Sequence, residues 1–278
     1  MSLLRQYVQS ILNARKLVIV TFLLCFGLFI YAPFTIMLLR SVGKDWFGKA
    51  WVPPTLTLDW YKWAWQIGQV PEITQNTLIV AALAVITSTL IAIPTGWAFG
   101  RRSVPGKEVL MAIILLPRMI PPIAYALGVA RIFYRLHLID THIGVALAHT
   151  AICAPYAILV LSSTFEGLDE RVLEAASVCG ANAARTFFHV ILPMVLPGIL
   201  SSVIFTFTTS YNELTLTLLT YGVHTKTLPV RTYLAMGEGY LEVTSAMAAI
   251  LVIPSLFVLF MIQRQVAPEK LVGGFKGV

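Results

Sequence analysis

The apolar residues of this chain are gathered into runs long enough to cross a lipid bilayer, and that pattern limits what it can fold into. A helix crosses ~30 Å of hydrocarbon with about 20 residues. Runs of that order recur at about 17–39, 77–99, 109–130, 145–163, 190–215 and 243–262. Inside hydrocarbon every backbone N–H and C=O must be satisfied within the protein, so runs of this length read as helices. Only 12% of the residues are charged and 58% are hydrophobic, where a soluble domain carries about 25% charged residues. A soluble fold would lack the polar material to cover itself. The expected class is all-α: a polytopic membrane protein with six transmembrane helices. No boundary, low-complexity tract or internal repeat divides it, so residues 1–278 read as one membrane domain.

The net charge is +7. Lys and Arg are spread over the loops, with no basic block and no nucleic-acid-binding motif, so the excess reads as the inside-positive bias of membrane proteins. Six spans put both termini on one side. With that side inside, eleven Lys/Arg lie inside and eight outside, and Arg118 falls within a span. Arg5, Arg15 and Lys16 before the first span favour cytoplasmic N- and C-termini. The first apolar run exceeds the about 7–15 residues of a secretory h-region and reads as an uncleaved span. Five of the six tryptophans lie between Arg40 and Asn76, which predicts a loop resting at the outer membrane surface. Asp59 is a fair N-cap for a short helix from Trp60.

Cys25, Cys153 and Cys179 lie far apart, and the five histidines do not cluster, so no metal site is expected. The segment Gly100 to Lys107 resembles a phosphate-cradling loop only loosely. It has five residues between its glycines and Glu108 after the lysine, where such a loop needs four residues and Ser or Thr. No cofactor is therefore expected on this chain, and it reads as a transport component, not an enzyme.

Residues 164–189 are too polar to span and too long for a plain turn. Asp169 and Glu170 suit a helix N-terminus. Val172, Ala175, Ala176 and Cys179 then form a small apolar face at helical spacing, and Gly180 suits a left-handed stop. Phe187, Phe188 and Ile191 begin a second amphipathic piece that runs into Leu192 and Pro193. The physics gives a helix, a glycine turn and a helix on a membrane surface: a docking element, or an amphipathic helix resting on lipid.

This stretch resembles the cytoplasmic EAA loop of bacterial ABC-importer permeases of the type I fold. Glu174-Ala175-Ala176, then Gly180, then Val190-Ile191-Leu192-Pro193 follow that family's E-A-A-x₃-G-x₉-I-x-L-P pattern, with Val190 in place of Ile. The resemblance covers nearly the whole chain. It implies that Asp169, Glu174, Ala175, Ala176, Gly180, Leu192 and Pro193 couple to an ATPase. It also implies a second homologous permease, two ATP-binding-cassette ATPase subunits that carry ATP and Mg²⁺, and a periplasmic or lipid-anchored substrate-binding protein. The implied location is the bacterial inner membrane, among lipids.

Polar residues inside the spans mark candidate pathway positions, because charge at membrane depth is costly unless it faces protein or water. These are Thr206, Ser210, Tyr211, Asn212 and Glu213 in span five, Arg118 in span three, and Tyr156; Tyr125 is a further aromatic candidate. Arg118 either caps carbonyls freed by Pro117 and Pro121 or lines a polar cavity. The alternative to an importer subunit is a self-sufficient secondary transporter or channel. Leu214 to Arg231 and Leu147-Ala148-His149-Thr150 resemble polyamine and opine permeases. Ile139-Asp140-Thr141 and the Gly273-to-Gly277 tail resemble sugar permeases.

Overall fold

In a computed structural model, residues 2–46 and 50–265 are described. Lys49, Lys270, Lys276 and the Gly-rich tail lie outside the described residues. The first apolar run is α1, Ser2–Val42. The most apolar window of its stretch Arg15–Val42 contains no buried residue, and most of its Leu, Phe and Ile side chains are exposed, an oily cylinder suited to hydrocarbon. A two-residue antiparallel pair follows, β1 (Gly43–Lys44) with β2 (Thr55–Leu56). The helix α2, Asp59–Gln66, comes next. Asp59 is not its cap, as the sequence suggested. Leu58 occupies the cap position without a side-chain bond. The hydroxyl of Thr57 accepts the Asp59 N–H at 3.1 Å. The Trp60 indole donates to the Gly43 carbonyl at 2.8 Å, while Trp51 and Trp65 are exposed, as interfacial tryptophans would be.

The second run is α3, Val70–Arg101. The third is divided into two helices, α4 (Lys107–Met119) and α5 (Pro122–Arg135), which meet at 98°. A residue before proline is pushed out of the helical region. Ile120 precedes Pro121 and Pro121 precedes Pro122, and both are extended, with ψ 141° and 128°. Two extended residues in succession turn the chain where one proline would only kink it. The fourth run is α6, His142–Glu166, and the loop helix is α7, Glu170–Val178.

The fifth apolar run begins and ends earlier than 190–215. It comprises α8 (Ala183–Thr186), a π-helical turn (Phe187–Ile191) and α9 (Leu192–Tyr211), continuous over Ala183–Tyr211. The wide turn sits just before Pro193, which has no N–H to donate and whose ring crowds the carbonyl four residues back. Two short helices follow, α10 (Thr215–Thr220) and α11 (Leu228–Gly237), and then α12, Leu241–Gln265. Among the described residues five helices can cross a membrane by length and composition, or six with the bent pair taken as one span.

The chain divides into two compact units. One holds α1, the Trp-rich loop and residues 235–249; the other holds residues 68–234 and the rest of α12. In the first, Arg40 approaches Glu242 at 3.8 Å and Trp63 packs on Tyr240. The second is organised by α3 against α6. Small residues on α3, Ala84, Ser88, Ala92 and Gly96, recur every four positions and are buried. That stripe lets the helix backbones approach closely, which drives helix association in lipid. A Cβ on Gly96 would stand 2.8 Å from the Leu161 Cβ, and one on Gly100 2.5 Å from the Ser162 carbonyl. Thr87 and Thr150 bond across this seam at 2.6 Å. Val195 and Ile199 of α9 close the core against Ile158, Leu161 and Phe165.

Candidate functional site

The loop of residues 164–189 is built from both ends. The Asp169 carboxylate accepts the Arg171 N–H at 2.9 Å, satisfying one of the donors a helix start leaves open. At the other end Gly180 has φ +76°. Its N–H donates to Ser177 O and the Ala181 N–H to Ala176 O, both at 3.0 Å. This is a complete Schellman closure, with glycine at the left-handed position. Asn182 then caps α8, accepting the Arg185 N–H at 2.9 Å.

One side of α7 is anchored. Leu173 packs on the core beside Phe187 and Leu192. The Arg101 guanidinium, from the end of α3, donates to the Leu168 carbonyl at 3.0 Å and to Glu170 at 3.3 Å. The other side is open: Glu174, Ala175, Ser177, Val178 and Cys179 are exposed, Val178 at 88%. The expected small-residue face is split, because Val172 and Ala176 are half-buried while Ala175 and Cys179 point out. Among the described residues Glu174 makes no hydrogen bond or ion pair, so neither Arg171 nor Arg185 holds it. Pro193 is exposed at the start of α9.

A cavity of about 190 Å³ lies where the α4–α5 break faces α6, α9 and α10. The break contributes Pro117, Arg118, Ile120, Pro122 and Tyr125; Ile152, Thr209, Glu213 and Leu216 complete the wall. Arg118 does not cap its own helix. It donates to the Ile152 carbonyl of α6 at 3.0 Å and lies over the Tyr156 and Phe205 rings, 5.9 Å from each centroid. Of the two roles the sequence left open it takes the cavity wall; the carbonyl it bonds belongs to α6 and not to the break at Pro117 and Pro121. Glu213 lies past the end of α9 and accepts the Leu216 N–H at 2.8 Å, starting α10.

The other span-five candidates fall elsewhere. Thr206 and Ser210 are buried in helix packing, not on the cavity wall. Ser210 bonds the His149 Nδ1 at 2.7 Å, and Thr217 bonds its Nε2 at 2.7 Å. Tyr211 is buried and stacks on Phe207. Asn212 is exposed and returns its amide to the Thr208 carbonyl at 2.9 Å. Tyr156 stacks on Phe205 with centroids 3.7 Å apart and stands behind Arg118. Sequence reasoning missed Thr209 on the wall and His149 in its hydroxyl clamp. Thr206, Thr208, Thr209 and Ser210 place hydroxyls on more than one side of the helix end, so periodicity alone does not select Thr209.

At the opposite end from the coupling loop, Asp140 ties two connections together. Its carboxylate accepts the backbone N–H groups of Val223, His224 and Thr225, the Thr225 hydroxyl, and the His224 Nδ1 at 2.8 Å. Asn76 adds bonds to the His224 and Lys226 carbonyls and to His142. Burial pushes the Asp140 carboxyl up, but the hydrogen bonds from His224 and Thr225 outweigh it and hold it below the usual 3.8. A carboxylate lowered on folding stabilises the fold above its unfolded pKa, and that contribution is lost as pH falls through the folded value. The purified protein should therefore lose thermal stability below about pH 4. Asp140→Asn should be less stable at pH 7 and show a smaller loss between pH 5 and pH 3. Parallel acid profiles for the two proteins would remove Asp140 from this role.

Residues 92–271 match the family described as binding-protein-dependent transport system inner membrane component. The chain belongs to that family. It is similar to the spermidine/putrescine transport system permease protein PotC of Haemophilus influenzae, 26% identical over 228 residues, covering 82% of this chain and 88% of that one. The alpha-glucoside transport system permease protein AglG of Rhizobium meliloti is 29% identical over 247 residues, covering 85% of this chain and 65% of that one. A bacterial ABC transporter involved in the import of the acidic polysaccharide alginate shares the fold. Its crystal structure gives a TM-score of 0.74 at 18% identity, covering 91% of this chain and 96% of that one. The chain is thus a multi-pass permease subunit of an ABC importer, with the type I fold, and a transport component, not an enzyme. Family membership removes the self-sufficient transporter from consideration.

Proposed function

We propose that this permease supplies one half of a translocation pathway, pairs with a second permease, and receives its power stroke through α7. The ATP and Mg²⁺ belong to two partner ATPase subunits, and an external binding protein delivers the solute. The termini lie on the cytoplasmic side with the coupling loop, which the Lys/Arg distribution favours. The cavity at the α4–α5 break is the pathway segment on this chain, with Arg118, Thr209 and Glu213 on its wall. The relatives' names point to polyamine or sugar as the solute class.

One observation carries this reading. A helix capped at both ends is anchored by Leu173 and Arg101 on one side and presents Glu174, Ala175 and Val178 unpartnered on the other. A large apolar side chain beside an unpaired carboxylate suits a protein groove better than water. A carboxylate forms charge-assisted hydrogen bonds with a partner's Arg or Lys, stronger than neutral ones. Truncating one member of a desolvated intersubunit pair costs about 2–5 kcal/mol. Glu174→Ala should therefore weaken ATPase-subunit binding by about tenfold or more. Titration of the ATPase subunit onto solubilised permease measures this directly. An affinity unchanged within about threefold, with uptake lost, would move Glu174 from docking to signal transmission.

A further inference from the structure

We infer that the cavity under the α4–α5 break takes a solute bearing both an anionic and a cationic group, an amino-acid-like zwitterion. This rests on the reading of that cavity as part of the pathway, and it puts a solute of mixed charge in place of the polyamine or sugar that the relatives' names suggest. The two charged residues on its wall, Arg118 and Glu213, are of opposite sign. Among the described residues they form no ion pair with each other. Each is instead positioned by the backbone: Arg118 by the Ile152 carbonyl at 3.0 Å, Glu213 by the Leu216 N–H at 2.8 Å. A guanidinium has five N–H donors and a carboxylate two acceptor oxygens, so both retain capacity for a ligand.

Opposite charges that share a wall without collapsing onto each other form a dipolar receptor. A zwitterion laid antiparallel to that dipole answers both charges at once. A diamine would meet Arg118 with like charge. A neutral sugar offers neither wall charge a counter-charge, so the exposed Arg118 and the half-buried Glu213 would gain from it only neutral hydrogen bonds, weaker than charge-assisted ones. The cavity of about 190 Å³ offers the room of about six waters at ~30 Å³ each, the scale of one amino acid. The hydroxyl-bearing Thr209 lies on the same wall and reports on it.

The test uses the complete importer in lipid nanodiscs, carrying Thr209→Cys with the exposed Cys25 and Cys179 changed to serine; Cys153 is buried and stays. The rate of modification by a small water-soluble thiol reagent is followed with L-ornithine, putrescine or maltose present. Putrescine is ornithine without its carboxylate, and maltose is uncharged. L-ornithine should protect at a concentration about tenfold or more below that of either other probe. Glu213→Gln keeps an acceptor for the Leu216 N–H and should bring the probes within about threefold of one another. If Thr209→Cys stays unreactive in every nucleotide state, the pathway reading fails and this inference with it. If it reacts but putrescine or maltose protects as well as L-ornithine, or none protects, the zwitterion is overturned and the pathway stands. Calorimetric titration of the three probes onto the unmodified importer repeats the comparison without any substitution, and a different order there overturns the inference as well.

Discussion

Gly100→Val should leave little folded permease to assay. The first added carbon would stand 2.5 Å from the Ser162 carbonyl oxygen, 2.8 Å from the Phe165 Cβ and 2.9 Å from the Glu166 nitrogen. Two of those three atoms are backbone, so no side-chain rotation relieves the contact. The helices α3 and α6 must part, loosening Gly96 from Leu161 and straining the Thr87–Thr150 bond. In lipid, parted helices gain nothing by re-burying oily surface, since the tails are as apolar as leucine, and close packing is what held them. Overpacking alone costs about 1–3 kcal/mol, and separation along the seam adds to it. The expected result is loss of the monodisperse peak in detergent and a large drop in melting temperature. Gly128→Val is the control: nothing lies within 4 Å of a Cβ there, so the purified chain should melt within about 0.5 kcal/mol of wild type. If both variants melt like wild type, the seam is not the organising contact.

Gly180→Val should insert normally and abolish uptake. A Cβ at Gly180 meets no neighbour, but φ is +76°, a region where an L-residue pays about 1–2 kcal/mol and a β-branched one more. The cost falls on the closure of α7: relaxing φ breaks the Gly180–Ser177 and Ala181–Ala176 bonds and frays the turn that presents Val178 and Cys179. Asparagine tolerates the left-handed region, so Gly180→Asn should restore most of the uptake. Counterflow-free uptake in proteoliposomes, with membrane insertion checked by sedimentation, separates the two effects. Full uptake by the valine variant would remove the turn from the coupling mechanism.

The coupling helix was legible because its determinants are local. An acid that caps and a glycine that stops lie within one short stretch, and Asp169 and Gly180 sit where their chemistry put them, while the anchoring Leu173 went unread. The spans were legible for the same reason that bilayers are thick. What escaped was geometry carried by distant partners. Pro117 and Pro121 marked freed carbonyls in the third run, but the 98° turn follows from two successive residues driven extended. Glu213 looked like the tail of span five, yet its carboxylate opens the next helix by bonding Leu216. Thr206 and Ser210 looked like pathway residues until helix packing buried them. Ser210 is claimed by His149, 61 positions earlier, and no local pattern encodes that pairing. Gly96 and Gly100 stand in the small-xxx-small spacing of close-packed membrane helices, a signal present in the sequence and left unused.

The unbroken course from Ala183 to Tyr211 makes the fifth span a connecting rod. At about 1.5 Å per residue, the 29 residues of that run extend roughly 44 Å, from the capped end of the coupling loop to the hydroxyls beside the cavity. A displacement at Asn182 would be carried toward Thr209 through continuous helix, interrupted among the described residues by one wide turn. The compliant point is the wide turn at Phe187–Ile191, which carries one residue more per turn than its neighbours. Shedding that residue would advance the rod by one residue and rotate everything beyond it by about 100°.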